Sequence, residues 1–150
     1  MTRARPLAVS LAAFPLLLSL LAGCASEQEK YCEAVKEHQA RLTEIMSDGG
    51  PTALLEALDS FRELRAEAPS DITDEWQQVI RSIEALQQAL DDAGVDPADF
   101  DSGKAPEGVS KEEREAIAQA ADEIGSRATE VALAGVRQQA LDVCKTQMWL

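Results

Sequence analysis

The stretch that decides the fold is residues 72–90, ITDEWQQVIRSIEALQQAL. Its apolar residues follow alternating steps of four and three, and they are Ile72, Trp76, Val79, Ile83, Leu86 and Leu90. This spacing puts them on one face of an α-helix and is typical of a helix that packs in a bundle. Gly94 then offers the left-handed residue with which many helices end. The pattern predicts an all-α protein.

Three more helical segments are expected around this one. The first covers about residues 27–47 and the second about residues 52–68, with glycine and proline between them. The last covers about residues 110–145, where Ser110 and Glu113 have the spacing of a capping box. Together these segments predict an up-and-down four-helix bundle over residues 31–148, with a long loop at 95–109.

The last predicted helix is too long for such a bundle. About 35 residues would span about 52 Å, whereas the first helix spans roughly 30 Å. We therefore expect a kink or a split near Gly125, because Gly-Ser pairs are a recognised cause of kinks. Residues 111–124 could then lie as a separate segment across one end of the bundle. Apolar residues recur every seven positions along this helix, at Ile117, Ile124 and Val131.

The first 24 residues have the layout of an export signal. A short basic start precedes an apolar run at residues 7–20, which is too short and too interrupted for a transmembrane helix. Leu21-Ala22-Gly23-Cys24 then resembles a bacterial lipobox, in which the cysteine thiol receives a diacylglycerol and the preceding bond is cut. We predict a lipoprotein signal peptide at 1–23 and a lipid-anchored connector at 24–30. The alternative is a secreted protein whose cleavage site happens to end in cysteine.

The charge of the chain narrows the choice of partners. The formal charge is −13, and it becomes −15 in a 127-residue mature chain, because the signal peptide contains two of the 14 basic residues and none of the 27 acidic ones. This charge argues against binding of nucleic acid or of anionic lipid surfaces. We expect an extracytoplasmic protein, held on the outer face of the cell membrane only by the diacylglyceryl lipid on Cys24.

The cysteine count agrees with that setting. Once Cys24 is assigned to lipid, Cys32 and Cys144 remain as an even pair in an oxidising compartment. In an up-and-down bundle, the start of the first helix and the end of the fourth lie at the same end. A disulfide between Cys32 and Cys144 is the prediction, and two buried free thiols are the alternative.

Residues that could carry chemistry are few. The chain has a single histidine, His38, and lacks the Glu-x-x-His, Cys-x-x-Cys-His and glycine-rich phosphate-loop motifs. We expect His38 to be a packed boundary residue, with a haem or copper ligand as the alternative. Asp96, Asp99 and Asp101 are weak candidates for a divalent cation, although their spacing differs from that of an EF-hand. No catalytic residue and no cofactor is predicted.

Four features together resemble the small actinobacterial lipoproteins of unknown function. They are the lipobox at Cys24, Tyr31-Cys32, Ala68-Pro69-Ser70-Asp71 and the C-terminal Cys144. The resemblance implies a cell-envelope setting and no particular activity. We predict a non-enzymatic, lipid-anchored envelope protein whose helical domain binds an envelope protein partner. The alternative is an envelope lipoprotein that binds a small ligand or a divalent cation.

Overall fold

A computed structural model describes the backbone of residues 19–48, 52–100 and 108–148, with side chains described from residue 27 onward. Within these ranges the chain forms five α-helices and no strand, so the all-α prediction is confirmed. The helices are α1 (Ser19–Asp48), α2 (Ala53–Glu67), α3 (Thr73–Asp92), α4 (Lys111–Ile124) and α5 (Arg127–Cys144). The prediction of four helices is wrong in number, because the last predicted helix is divided into α4 and α5.

The third helix is the centre of the fold. It contacts α2, α4 and α5, while α1 packs against α2 and α5. The six apolar residues that the sequence places on one face of α3 are all buried. Trp76 at the first turn of this face is fully enclosed and stacks at a tilt against Phe61 of α2, with 5.7 Å between ring centroids. The apolar spacing of residues 72–90 therefore sets the main packing surface of the domain.

The last predicted helix divides at Gly125-Ser126. There α4 ends, and the Ser126 hydroxyl caps α5 by accepting a hydrogen bond of 3.3 Å from the backbone N–H of Thr129. Ile117 of α4 packs with Leu86 and Leu90 at the C-terminal part of α3. Gly135 of α5 lies opposite the first turn of α3. The two helices together run antiparallel to α3, so residues 111–124 lie along α3 and not across an end of the bundle.

This division also changes which residues of α5 are buried. Val131, expected on the buried face by the seven-residue repeat, is 58% exposed. The buried positions of α5 are instead Thr129, Ala132, Val136, Ala140 and Cys144. The prediction for Val131 is wrong because it assumes one continuous helix, whereas the break resets the angular phase of every residue after it.

The two ends of the predicted loop at 95–109 have defined local structure. Gly94 ends the third helix with φ +64°, as expected. A short 3-10 helix, Pro97–Asp99, then brings Phe100 into a cluster with Leu90 and Ile117. The predicted loop is therefore partly ordered and contributes to the core, and its residues 101–107 lie outside the described part of the chain.

The fourth helix begins with the predicted capping box. The backbone N–H of Glu113 donates to the Ser110 hydroxyl at 3.2 Å, and the backbone N–H of Ser110 donates to the Glu113 carboxylate at 2.9 Å. Hydrogen bonds from the side chain and backbone of Ser110 hold the pKa of Glu113 below its ordinary value. The start of α4 is therefore determined locally by these two residues.

The first helix begins earlier than the sequence predicts. It starts at Ser19 rather than near residue 27, and it includes the predicted connector at 24–30. Leucine and alanine are frequent in residues 19–26, and no proline interrupts the segment. Such residues have high helix propensity, which explains why the helix extends in the N-terminal direction.

Candidate functional site

Cys24, the predicted lipidation site, belongs to the N-terminal part of α1. It precedes Cys32 by eight residues, which corresponds to about 12 Å along a helix axis. Residues 27–30 are exposed, and Tyr31 is the first buried residue of the helix. Lipid attachment at Cys24 stays a prediction. Among the described residues, no helix is both long enough and apolar enough to cross a membrane.

The other two cysteines meet at one end of the helical domain. The Sγ atoms of Cys32 and Cys144 are 2.06 Å apart, and their Cα atoms are 5.0 Å apart, which is the geometry of a disulfide. The bond joins α1 to the last residue of α5 and closes a segment with a sequence separation of 112. The predicted pairing of Cys32 with Cys144 therefore agrees with the distance between them.

A buried polar pair lies next to this disulfide. The indole N–H of Trp76 donates a hydrogen bond of 3.0 Å to the phenolic oxygen of Tyr31, and both side chains are fully buried. Burial raises the pKa of Tyr31, the hydrogen bond from Trp76 acts in the opposite direction, and the charge of Asp71 raises the pKa further. The phenol therefore remains a neutral packing group. Sequence reasoning placed both residues in the core but did not foresee the contact between them.

The chain turns back after the disulfide. Lys145 adopts a left-handed backbone with φ +55°, and the Thr146 N–H donates to the Ala140 carbonyl at 3.2 Å. The Gln39 amide then donates to the Gln147 carbonyl at 3.0 Å. Because Gln39 lies two turns beyond Cys32 in α1, residues 145–148 follow α1 away from Cys24. Residues 149–150 lie outside the described part of the chain.

The three candidate metal ligands do not form a site in the part of the chain that the structure describes. The carboxylate of Asp96 accepts a hydrogen bond of 2.8 Å from the Ala98 N–H and caps the 3-10 helix. Asp99 is exposed within that helix, and Asp101 lies outside the described residues. No three acidic, histidine or cysteine side chains converge among the described residues. The role of Asp96 is therefore accounted for by helix capping.

His38 lies at the boundary between α1 and α2. Its side chain is 14% exposed, and its Nε2 is 3.0 Å from a carboxylate oxygen of Glu63. This agrees with the expectation of a packed boundary histidine. The contact gives the side chain a polar partner at the edge of the core, which is the usual requirement for a partly buried imidazole.

The outward side of α5 has an unusual composition for this chain. We define the α5 outer face as the helical stripe of Val131, Ala134, Gln138 and Leu141, all of which are exposed. Val131 is 58% exposed and Leu141 is 48% exposed, and among the described residues these are the large hydrophobic side chains with high exposure. A shallow hollow of about 360 Å³ lies between this stripe and Gln147 and Met148, with Arg137 beside it.

A second hollow lies near the N-terminal part of α1. It has a volume of about 310 Å³ and is formed by Glu27 and Lys30 together with the turn between α2 and α3. Glu67 and Thr73 contribute from that turn. Its lining is mainly polar and includes both signs of charge.

Comparison with known proteins identifies no relative for this chain: no family model, no curated protein and no solved structure matches it. The functional argument therefore rests on the residues described above.

Proposed function

We propose that the protein is a non-enzymatic, lipid-anchored component of the cell envelope, and that its helical domain binds another envelope protein. The observation that carries this proposal is the tetrapeptide Leu21-Ala22-Gly23-Cys24, which follows a short apolar run. A diacylglycerol on Cys24 would hold the domain on a bilayer more firmly than one acyl chain can. The disulfide geometry of Cys32 and Cys144 agrees with export to an oxidising compartment.

The buried polar groups support a structural role rather than a catalytic one. Tyr31 and Trp76 are paired with each other, and the Ser82 and Thr129 hydroxyls donate to backbone carbonyls of Val79 and Glu123. These groups use their hydrogen bonds to hold helices in place. A domain built in this way is suited to presenting a surface to a partner.

The anchor can be tested by metabolic labelling. The full chain is expressed in a bacterium that processes lipoproteins, and an alkyne-bearing fatty acid is supplied. We expect the wild type to be labelled and to sediment with membranes, and we expect Cys24→Ser to lose both properties. The Cys32→Ser/Cys144→Ser double variant is the matched control, because it removes two thiols but keeps Cys24. Equal labelling of wild type and Cys24→Ser would contradict the anchor.

The alternative function, binding of a small ligand or a divalent cation, has one observation in its favour. The hollow of about 310 Å³ beside Glu27 and Lys30 could hold a small polar molecule. If the interaction role is correct, millimolar Ca²⁺ should leave the melting temperature unchanged. A saturable rise that Asp99→Asn abolishes would favour the cation-binding alternative instead.

A further inference from the structure

The α5 outer face has the spacing of a helix-packing surface. Its residues follow steps of three, four and three along the helix, which aligns them in a stripe about 15 Å long at 1.5 Å per residue. Scattered exposed hydrophobic residues need no explanation in a soluble domain. Here, however, Val131 and Leu141 are at the two ends of one stripe, with the hollow beside Leu141.

The charge of α5 also differs from that of the other helices. Each of α1, α2, α3 and α4 contains two to four more acidic than basic residues, whereas α5 contains two of each. Its two basic residues, Arg127 and Arg137, are exposed and form no ion pair with any described residue. On a strongly acidic chain, α5 is therefore the helical surface that repels a negatively charged partner least.

The helix that carries this face is fixed at both ends. At its start, Ser126 caps the helix, and the Gln78 amide of α3 lies 3.3 Å from the Thr129 hydroxyl. At its end, Cys144 is bonded to Cys32 of α1. A surface that is held in one conformation binds with a smaller entropic cost than one that must be ordered on binding.

We infer that the α5 outer face binds an amphipathic helix of another protein, one that carries acidic residues beside its apolar stripe. This inference rests on the proposed function, since it assigns the interaction to one face and states the chemistry of the partner. The apolar residues of the partner would pack on Val131 and Leu141, with one of them in the hollow. Its carboxylates would pair with Arg127 and Arg137.

A second copy of the chain fits this face less well. An antiparallel pairing that brings Val131 of one copy onto Leu141 of the other has its two-fold axis near residue 136. The two Arg137 side chains would then face each other across the axis. A parallel pairing of two α5 helices would oppose Arg127 to Arg127 and Arg137 to Arg137. Like charges in such positions disfavour association.

The inference can be tested by site-specific photocrosslinking in the cells that produce the protein. A photoreactive phenylalanine analogue is placed in the full chain at Val131 or Leu141. The matched control places it at Gln119, which is exposed on α4. Thermal unfolding of each variant verifies that the fold is retained. We expect an adduct from positions 131 and 141 but not from 119, and we expect the crosslinked peptide to be amphipathic and acidic.

Charge reversal gives an independent readout of the same surface. Arg127→Glu/Arg137→Glu should reduce the adduct yield by about tenfold, because repulsion then replaces two ion pairs. Four results would overturn the inference: no adduct at 131 or 141, equal adducts at 119, an adduct of the protein with itself, or a crosslinked segment that is basic. If fatty-acid labelling of Cys24 succeeds while no adduct forms at α5, only this inference fails. If labelling fails while the adduct persists, the lipid anchor fails and the surface assignment stands.

Discussion

The indole of Trp76 and the phenol of Tyr31 are hydrogen-bonded to each other at 3.0 Å inside the core, although 45 residues separate them in the chain. The bond joins the first turn of α3 to α1, one residue before the disulfide at Cys32. Each side chain thereby satisfies a polar group that would otherwise be buried without a partner. This end of the domain is consequently held by a hydrogen bond and a covalent bond in adjacent residues.

Replacing Tyr31 by phenylalanine should destabilise the protein by about 1 to 3 kcal/mol, because the Trp76 N–H then remains buried without an acceptor. Urea unfolding followed by tryptophan fluorescence measures this loss. A double-mutant cycle with Trp76→Phe should show positive coupling, since the second change removes the donor that the first leaves unpaired. Additive effects of the two substitutions would show that the hydrogen bond contributes nothing.

The protonation of Tyr31 should make stability depend on alkaline pH. Burial raises the pKa of this phenol above its ordinary value of 10.0 in spite of the hydrogen bond from Trp76. The folded protein therefore keeps a proton that the unfolded chain releases. The resulting stabilisation is complete below about pH 10 and is lost as the pH rises through the folded-state pKa.

Ultraviolet titration can observe this group directly, because Tyr31 is the single tyrosine of the sequence. We expect its phenolate absorbance to appear above pH 10 in the folded protein and at a lower pH in urea. The free energy of unfolding should decline over the same range in the wild type but less steeply in Tyr31→Phe. Titration at an identical pH in both states would contradict the role of burial.

Breaking the bond between Cys32 and Cys144 should destabilise the protein substantially. In the chain-entropy model, a closed loop of this length contributes roughly 4 to 5 kcal/mol. We expect the Cys32→Ser/Cys144→Ser variant, and the wild type under reductant, to melt at clearly lower temperatures than the oxidised protein. Cys24→Ala is the matched control and should melt like the wild type. Mass spectrometry without reductant should show the 32–144 crosslink, whereas two freely alkylated thiols would exclude it.

The break between α4 and α5 depends on Ser126, whose hydroxyl accepts from the Thr129 N–H. Ser126→Ala should cost about 1 kcal/mol, the usual effect of removing an N-terminal helix cap. Ser70 is exposed in the turn before α3, and Ser70→Ala is the matched control, with an expected change near zero. Equal unfolding free energies for the two variants would mean that the cap is unnecessary.

The central helix was predictable because its apolar residues alone determine which side is buried. Ile72, Val79 and Leu90, together with the other three residues of that face, are all enclosed as the spacing requires. The same reasoning failed for Val131, since two residues between helices change the angular phase of everything that follows. Phe100 was missed for a different reason: a 3-10 helix of three residues is too short to show any periodicity.

The candidate site divides in the same way. Pairing of Cys32 with Cys144 follows from counting cysteines and from the topology of helices, so distance in the fold was anticipated. The α5 outer face could not be recognised, because an apolar residue in a sequence carries no mark of whether a neighbour covers it. Only the packing of Ala132 and Val136 against α3 shows that Val131 points outward.

The covalent link between α1 and α5 also determines how the domain transmits mechanical force. A pull on the residues before Cys32 and an opposing pull on the end of α5 meet directly through the disulfide. The hydrophobic contacts of α2, α3 and α4 lie outside that path and carry no tension. A protein tethered at Cys24 and loaded near Cys144 would therefore hold its core intact until a covalent bond or the short N-terminal stretch of α1 gives way.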